Sequence, residues 1–330
     1  MRSIPVIDVA PLRAGGTGSS AVAAAIDAAC RDVGFFAITG HGIELPAFER
    51  LRRAAAAFFA LPEAVKGEVA MAHGGRAWRG WFPVGGELTS GQPDLKEGLY
   101  FGLELPSEDP RVRAGVPLHG PNLFPAEPVE LRPLVLEWIE RVTAVGHVVM
   151  QGIAMGLGLP PEWFREHLTG DPVVLFRIFH YPPAQPGRWG VAEHTDYGLL
   201  TLLAQDGHDG LEVETSSGWI EVPARPGELV CNLGDMLDRL TGGRHRSTRH
   251  RVRNRSGAGR LSFPLFFDPS WEAEVPRLPG IDLLERPDPR WDGADLQAWS
   301  GRYGEYLTAK VSRVFPELFA AQLGRDVVGD

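Results

Sequence analysis

Hydrophobic positions recur at two different periods along the chain, and the change falls near residue 173. Before that point apolar residues step by three or four, which predicts helices over residues 20–33, from about residue 46, and over 128–156. After it, short runs rich in β-branched and aromatic residues are separated by turn residues, as in an all-β sandwich or barrel. A last helical pattern covers 296–314. The chain is therefore predicted to wrap helices around one β core.

The predicted strands are short. Two of them come early, an edge strand at 4–8 and a second strand at 35–39. The later ones are 173–181, 191–203, 211–214, 219–222, 229–233, 247–253 and 261–267. Between the early and late elements, residues 73–95 are rich in Gly, Pro and Trp, and a long structureless loop of this kind is typical of a lid or binding loop. A surface insertion without a role is the alternative.

Composition narrows the class of protein. The 330 residues are 44% hydrophobic and 23% charged, which is ordinary globular usage. The net charge of −9 disfavours a sequence-independent nucleic-acid binder. No apolar run reaches the ~18–20 residues of a membrane span, and residues 1–10 carry Pro5 and Asp8, unlike a signal peptide. Two cysteines, Cys30 and Cys231, exclude a disulfide scaffold. We expect a cytoplasmic protein without nucleic-acid or membrane partners; nothing indicates its oligomeric state.

Three residues have the spacing of metal ligands. His194 and Asp196 lie two apart in a predicted strand, where alternate side chains point to the same face. By the same alternation, the side chain of His250 points to the opposite face from the arginines on either side of it. Two imidazoles and one carboxylate leave three coordination positions open, which suits non-haem Fe(II) with room for oxygen and a chelating co-substrate. A closed structural zinc site has four protein ligands.

A candidate carboxylate anchor follows closely in the sequence. Arg260 and Ser262 share a face by the same period of two. A guanidinium holds a carboxylate through two hydrogen bonds, and a hydroxyl adds a third. The pair therefore suits a dicarboxylate near the metal, whereas Arg260 taken alone has the ordinary alternative of a solvated surface arginine.

These motifs occur together with several others that have a family resemblance. They are IPVID at 4–8, ACRDVGFFAITGHGI at 29–43, FFALP at 58–62, DLKEG at 94–98, HTD at 194–196, NLGD at 232–235, STRHRV at 247–252 and RLS at 260–262. In this combination the chain resembles the isopenicillin N synthase-like branch of the 2-oxoglutarate- and Fe(II)-dependent dioxygenases over nearly its whole length.

The resemblance implies a mainly β fold with flanking helices, in which the core is a cupin-like double-stranded β-helix, or distorted jelly roll. Four regions would form one compact unit. They are an N-terminal non-haem dioxygenase region with helices and the lid loop (1–120), a scaffold helix (121–170), the catalytic double-stranded β-helix (171–270), and C-terminal loops with a helix (271–330).

The resemblance also implies roles for the site residues. His194, Asp196 and His250 would hold Fe(II), with O2 as co-substrate. Arg260 would bind the distal carboxylate of the co-substrate 2-oxoglutarate, helped by Ser262 and by Tyr181.

The implied reaction oxidises an unactivated C–H bond of a small organic molecule, by hydroxylation, desaturation or ring closure, with release of succinate and CO2. One alternative is an iron-dependent oxidase of the isopenicillin N synthase type that does not consume 2-oxoglutarate. Another is a non-catalytic jelly-roll binding module. Where the family often has asparagine this chain has Phe179, which could line an apolar substrate pocket. The expected pocket residues are Arg79, Trp81, Phe101, Phe179 and Phe267.

Overall fold

The structure is a computed structural model that describes residues 3–183, 189–255, 257–278, 280–281 and 290–323. The strands are β1 Val6–Asp8, β2 Phe35–Thr39, β3 Gly80–Phe82, β4 Leu88–Thr89, β5 Gln92–Pro93, β6 Glu97–Gly102, β7 Pro172–Tyr181, β8 Val191–His194, β9 Leu200–Gln205, β10 Leu211–Thr215, β11 Gly218–Val222, β12 Leu229–Leu233, β13 His250–Val252 and β14 Arg260–Ser270. The helices are α1 Ala10–Ala14, α2 Ser19–Asp32, α3 Leu45–Phe59, α4 Glu63–Lys66, α5 Pro110–Arg113, α6 Leu131–Gly156, α7 Trp163–His167, α8 Asp235–Leu240, α9 Tyr303–Val314 and α10 Pro316–Gln322.

Two sheets form the β core. The larger has eight strands in the order β1-β2-β12-β9-β14-β7-β6-β3, and the smaller has four in the order β11-β10-β13-β8. Only the outermost pair of the larger sheet, β1 with β2, is parallel; its other pairs and those of the smaller sheet are antiparallel. A cavity lies between the sheets, with walls from both. This is the jelly-roll arrangement that the sequence predicts.

Helices cover the outer face of the larger sheet. The long helix α6 lies against β14, where Gly146 leaves room for the ring of Phe267. Beside it, Phe48 of α3 packs 5.3 Å from the ring of Trp138 and also reaches Phe263 of β14 at 5.1 Å. Strands such as β7 are consequently buried on both faces, one against helices and one against the cavity. That double burial explains their nearly continuous apolar sequence.

The helices predicted at 20–33 and 128–156 are confirmed as α2 and α6. The single strand predicted at 191–203 is wrong, because the chain crosses there from β8 in the smaller sheet to β9 in the larger one. The helix predicted at 296–314 begins only at Tyr303. Six short helices in the described ranges were not predicted: α1, α4, α5, α7, α8 and α10.

The segment predicted as a structureless lid loop is largely ordered into short elements. Residues 73–95 contain helical turns, the edge strand β3 and the β4–β5 hairpin. Within this segment the hairpin, the preceding Glu87 and Trp78 reach the cavity. Of the C-terminal loops predicted after residue 270, residues 279 and 282–289 lie outside the described residues. None of the helices in the described ranges combines the length and apolar character that crossing a bilayer demands.

We expect Phe263→Ala to lower the free energy of unfolding by about 3–5 kcal/mol, because the ring is fully buried between the sheet and α3. Denaturant titration of the purified protein measures this loss. Val129→Ala is the control, since Val129 is 67% exposed and should change stability by less than ~0.5 kcal/mol. Equal losses for the two variants would contradict the packing described here.

Candidate active site

Three potential metal ligands converge at one end of the cavity. His194 ends β8 and His250 begins β13, and the two residues stand directly opposite each other in the antiparallel register. Their ring centroids are 4.2 Å apart. Asp196 follows β8, and its Oδ1 lies 3.8 Å from Nε2 of His194 and 3.7 Å from Nε2 of His250. One ligand atom from each of the three residues lies within 4.8 Å of the others.

Backbone carbonyls orient both imidazoles. Nδ1 of His194 lies 2.8 Å from the carbonyl of Ala192, and Nδ1 of His250 lies 3.1 Å from that of Thr248. A carbonyl only accepts, so each Nδ1 carries the proton and donates it. Each Nε2 is then unprotonated, and its lone pair points toward the carboxylate. A metal ion requires an imidazole in this protonation state and orientation.

The larger sheet orients the carboxylate. Oδ2 of Asp196 accepts hydrogen bonds from the hydroxyl of Thr201 on β9 at 2.5 Å and from the amide of Asn232 on β12 at 2.6 Å. These bonds hold the carboxylate so that Oδ1 is the oxygen near the histidines. Asp196 lies in the link between the sheets rather than inside a strand, so strand parity alone does not explain its position.

Electrostatics favour the metal-binding protonation states. Burial, together with the neighbouring His194, lowers the pKa of His250 to about 4, and burial also lowers the pKa of His194. Burial works in the opposite direction on Asp196, but the two histidines and the hydrogen bonds outweigh it, and the pKa of the carboxyl is lowered. Near neutral pH the site therefore has two neutral imidazoles and one carboxylate, a donor set that fits a divalent iron with open positions.

A guanidinium with an unused amino group lies further along the same cavity. Arg260 is 1% exposed and begins β14 opposite Tyr181. Its Nε donates to the carbonyl of His208 at 3.1 Å and its Nη2 to Gln205 at 3.0 Å. Its Nη1 is buried and has no hydrogen-bond partner within the described ranges. The hydroxyls of Ser262 and Tyr181 are 3.5 Å apart beside it. These donors fit a carboxylate.

The cavity that joins these two features has a volume of about 560 Å³. Of the residues expected from sequence to line the substrate pocket, Phe179 does so. Several others that sequence reasoning missed also line it: Trp78, Glu87, Lys96, Tyr100, Leu175, Arg177, Tyr197, Phe266 and Phe315. Most of these come from strands and loops whose spacing carries no motif, so only the strand parity of β6, β7 and β14 could have indicated some of them.

The structure places the other four expected pocket residues away from the cavity. Arg79 is buried and donates to the carbonyl of Leu118 at 2.8 Å. Trp81 donates its indole N–H to Glu97 at 2.8 Å. Both side chains are therefore committed to contacts outside the pocket.

Phe101 and Phe267 point to the helical side of the larger sheet. Phe101 stacks on Phe124 with 5.0 Å between ring centroids, and Phe267 meets His147 at 4.8 Å. Adjacent residues of a strand face opposite ways, so the cavity receives the neighbouring side chains Tyr100 and Phe266 instead.

Two elements close the mouth of the cavity. The β4–β5 hairpin lies on one side, where the hydroxyl of Ser90 donates to the carbonyl of Glu193 at 3.1 Å. Helix α9 lies on the other side and contributes Leu307, Lys310 and Val311 to the lining. The cover predicted from the long loop is thus formed by a short hairpin and a C-terminal helix.

A buried carboxylate ties α9 to the segment that carries Asp196. The backbone N–H of Asp235 donates to the carbonyl of Asp196 at 2.8 Å. The side chain of Asp235 accepts hydrogen bonds from Tyr306 of α9 at 2.9 Å, from Arg290 at 2.8 Å and from Ser247 at 2.8 Å. The closing helix and Asp196 therefore share one anchor.

Comparison with known proteins agrees with this architecture. Family models match residues 4–127 (non-haem dioxygenase in morphine synthesis N-terminal) and 172–269 (2OG-Fe(II) oxygenase superfamily). A Dictyostelium discoideum protein named probable iron/ascorbate oxidoreductase is 45% identical over 321 residues, which is 89% of this chain and 88% of that protein. A homoarginine-6-hydroxylase of Arabidopsis thaliana is 34% identical, covering 95% and 98%. The structure of a Neurospora crassa protein in complex with alpha-KG and thymine matches with a TM-score of 0.77 at 26% identity, covering 94% and 96%.

The chain belongs to the 2OG-Fe(II) oxygenase superfamily. It is an oxidoreductase that uses Fe(II), 2-oxoglutarate and O2 to oxidise a small organic molecule. The alternatives of an oxidase independent of 2-oxoglutarate and of a non-catalytic binding module are not favoured, given the names of these relatives and the intact donor set.

A second buried carboxyl in the cavity wall gives a prediction about stability. Burial raises the pKa of Asp268 to about 7, although Tyr303 of α9 donates a hydrogen bond to it. The folded state therefore keeps a proton that the unfolded chain releases near pH 4. The stability that this proton provides is fully present below about pH 4 and is lost as the pH rises through about 7.

We expect Asp268→Asn, which mimics the protonated form, to match the wild type in stability at pH 4 and to exceed it by roughly a few kcal/mol at pH 8. Denaturant titrations of the metal-free proteins across this range measure the difference. Asp32→Asn is the control, since Asp32 is exposed at the end of α2. A constant difference between wild type and Asp268→Asn at every pH would contradict the raised pKa.

Proposed function

We propose that His194, Asp196 and His250 are the Fe(II) ligands of this oxygenase. The observation that carries the assignment is the convergence of two Nε2 lone pairs and one carboxylate oxygen within 4.8 Å. Their second ring nitrogens and second carboxylate oxygen are already used by hydrogen bonds within the protein. Three protein ligands on one side of an ion leave the other side for 2-oxoglutarate and O2.

We further propose that Arg260 binds the distal carboxylate of 2-oxoglutarate, helped by the hydroxyls of Ser262 and Tyr181. The buried Nη1 of Arg260, which has no partner within the described ranges, supports this role, because a buried guanidinium gains most from a carboxylate. The contacts of Arg260 with His208 and Gln205 fix the plane of the guanidinium before the co-substrate arrives. With its distal carboxylate bound at Arg260, 2-oxoglutarate would extend along the cavity, and its other end would lie near the three iron ligands.

Bound Fe(II) with 2-oxoglutarate supplies the activation of O2 that oxidises a C–H bond and releases succinate and CO2. The protein residues do the rest: they hold the metal in an open geometry, orient the co-substrate and keep water out. Leu175, Phe179 and Phe266 give the remaining wall of the cavity an apolar character that suits the carbon skeleton of a small substrate. Hydroxylation, desaturation and ring closure all remain outcomes for this site.

Amino acids are the substrate class that we propose to test first. The name of the Arabidopsis relative, homoarginine-6-hydroxylase, identifies an amino acid as the substrate of that protein, and that protein is similar to this chain over 95% of its length. The cavity of about 560 Å³ has room for a molecule of this size.

The ligand assignment predicts that alanine at position 194, 196 or 250 abolishes Fe(II) binding and succinate formation. His194→Ala, Asp196→Ala and His250→Ala should each be purified, incubated with Fe(II) under argon, desalted and measured for iron by mass spectrometry. The control is His73→Ala, which removes an exposed histidine on a helical turn that does not line the cavity. A full complement of iron in Asp196→Ala would overturn the assignment.

The Arg260 assignment predicts a separate defect. Arg260→Ala should keep its iron but bind 2-oxoglutarate about 10- to 100-fold more weakly, because a hydrogen-bonded charge pair contributes ~1.5–3 kcal/mol. Calorimetric titration of the metal-loaded protein with 2-oxoglutarate measures the change. Arg255→Ala is the matched control, since Arg255 is exposed and pairs with Glu212. Unchanged affinity in Arg260→Ala would show that the co-substrate is anchored elsewhere.

A further inference from the structure

A second buried guanidinium lines the cavity. Arg177 is 6% exposed and faces inward from β7, two residues from Phe179. Its Nη1 makes long contacts to the carbonyls of Phe101 and Phe176, at 3.2 and 3.4 Å. No carboxylate in the described ranges is paired with Arg177 within 4.0 Å, although Glu87 and Asp268 act on its charge from a longer distance. A buried cation without a directly paired anion favours an anionic ligand.

The ring of Tyr100 connects Arg177 to a carboxylate. The guanidinium of Arg177 stacks 3.5 Å above the Tyr100 ring, and the hydroxyl of Tyr100 donates a hydrogen bond to Glu87. Glu87 also pairs with Lys96 at 2.8 Å, and Lys96 pairs with Asp94 at 2.5 Å. The cavity wall thus presents a cation and an anion at opposite parts of one aromatic side chain.

The formal charges of this cluster balance. Two acids, Glu87 and Asp94, stand with two bases, Lys96 and Arg177, so these four groups sum to zero when all are ionised. Asp268, the other carboxyl that acts on Arg177, has a pKa raised to about 7 by burial and adds no charge when it is protonated. A ligand with one net charge would leave that charge uncompensated beside these buried groups, which is costly. A ligand that carries one positive and one negative group adds no net charge and can pair with both ends.

We propose that Arg177 and Glu87 form the specificity subsite for a zwitterionic amino-acid substrate. Arg177 binds the α-carboxylate, and Glu87 accepts hydrogen bonds from the α-ammonium. This inference rests on the proposed function, because it takes the iron to lie at the His194–Asp196–His250 cluster.

The first experiment uses the wild-type enzyme and compares matched ligands. The Fe(II)- and 2-oxoglutarate-loaded protein is titrated in a calorimeter under argon with the proteinogenic L-amino acids and L-homoarginine. Each amino acid that binds is compared with its N-acetyl derivative and its decarboxylated amine. We expect at least one amino acid to bind and, in air, to stimulate succinate release. Both analogues should bind at least ~100-fold more weakly, since buried polar groups of the site are left unpaired.

The second experiment assigns the two ends of the ligand to the two residues. Arg177→Leu should weaken binding of the amino acid by about 100-fold and remove the preference for it over its decarboxylated amine. Glu87→Gln should remove the preference for the amino acid over its N-acetyl derivative. Iron content and 2-oxoglutarate affinity should stay at wild-type values in both. Arg141→Leu, on the exposed face of α6, is the matched control.

The outcomes separate the two levels of the proposal. If iron and 2-oxoglutarate bind but thymine or another uncharged ligand stimulates succinate release and no amino acid does, the subsite is overturned while the proposed function stands. If metal and co-substrate fail to bind, the proposed function is overturned and the subsite with it. Should Arg177→Leu fail to fold, the comparison of wild-type ligands still decides, since equal binding of an amino acid and its two analogues contradicts the subsite.

Discussion

The register between β8 and β13 is the constraint on which the active site depends. It sets His194 directly opposite His250, so that two imidazoles from distant parts of the sequence share one small volume. Side chains alternate along a strand, and a slip of one residue would turn one histidine away from the cavity. Specific register requires a buried face, and the cavity side of these strands provides it. Backbone pairing thus places the two histidines side by side.

The site lies between the two sheets and needs residues from both. The smaller sheet supplies the histidines, and the larger one supplies the hydrogen bonds from Thr201 and Asn232 that orient Asp196. Arg260, on the larger sheet, adds the cation that suits the co-substrate. Because the helices seal the outer face of the larger sheet, its inner face is free to carry polar and charged groups without losing the apolar contacts that stabilise the core.

Local patterns in the sequence were enough to predict the two main helices, a β core, and the residues that gather at the His194–Asp196–His250 cluster, and the family resemblance supplied the jelly-roll class. They were insufficient wherever tertiary structure decided the outcome. Asp196 reaches the histidines from a link between sheets, which periodicity predicts as one continuous strand. Phe101 and Phe267 have the character of pocket residues, but only the packed sheet shows which face the helices cover. Glu87 and Arg177 are connected through Tyr100, and the three residues come from separate parts of the sequence that share no motif.

The shared anchor at Asp235 links the cover of the cavity mechanically to the segment that carries Asp196. Tyr306 and Arg290, both C-terminal, donate to a carboxylate whose own backbone holds the carbonyl of Asp196. Loss of the Tyr306 hydrogen bond would leave a fully buried anion with one donor fewer, which is energetically unfavourable. One buried carboxylate therefore holds both the helix at the cavity and the segment that carries Asp196, so a substitution at Asp235 would disturb both.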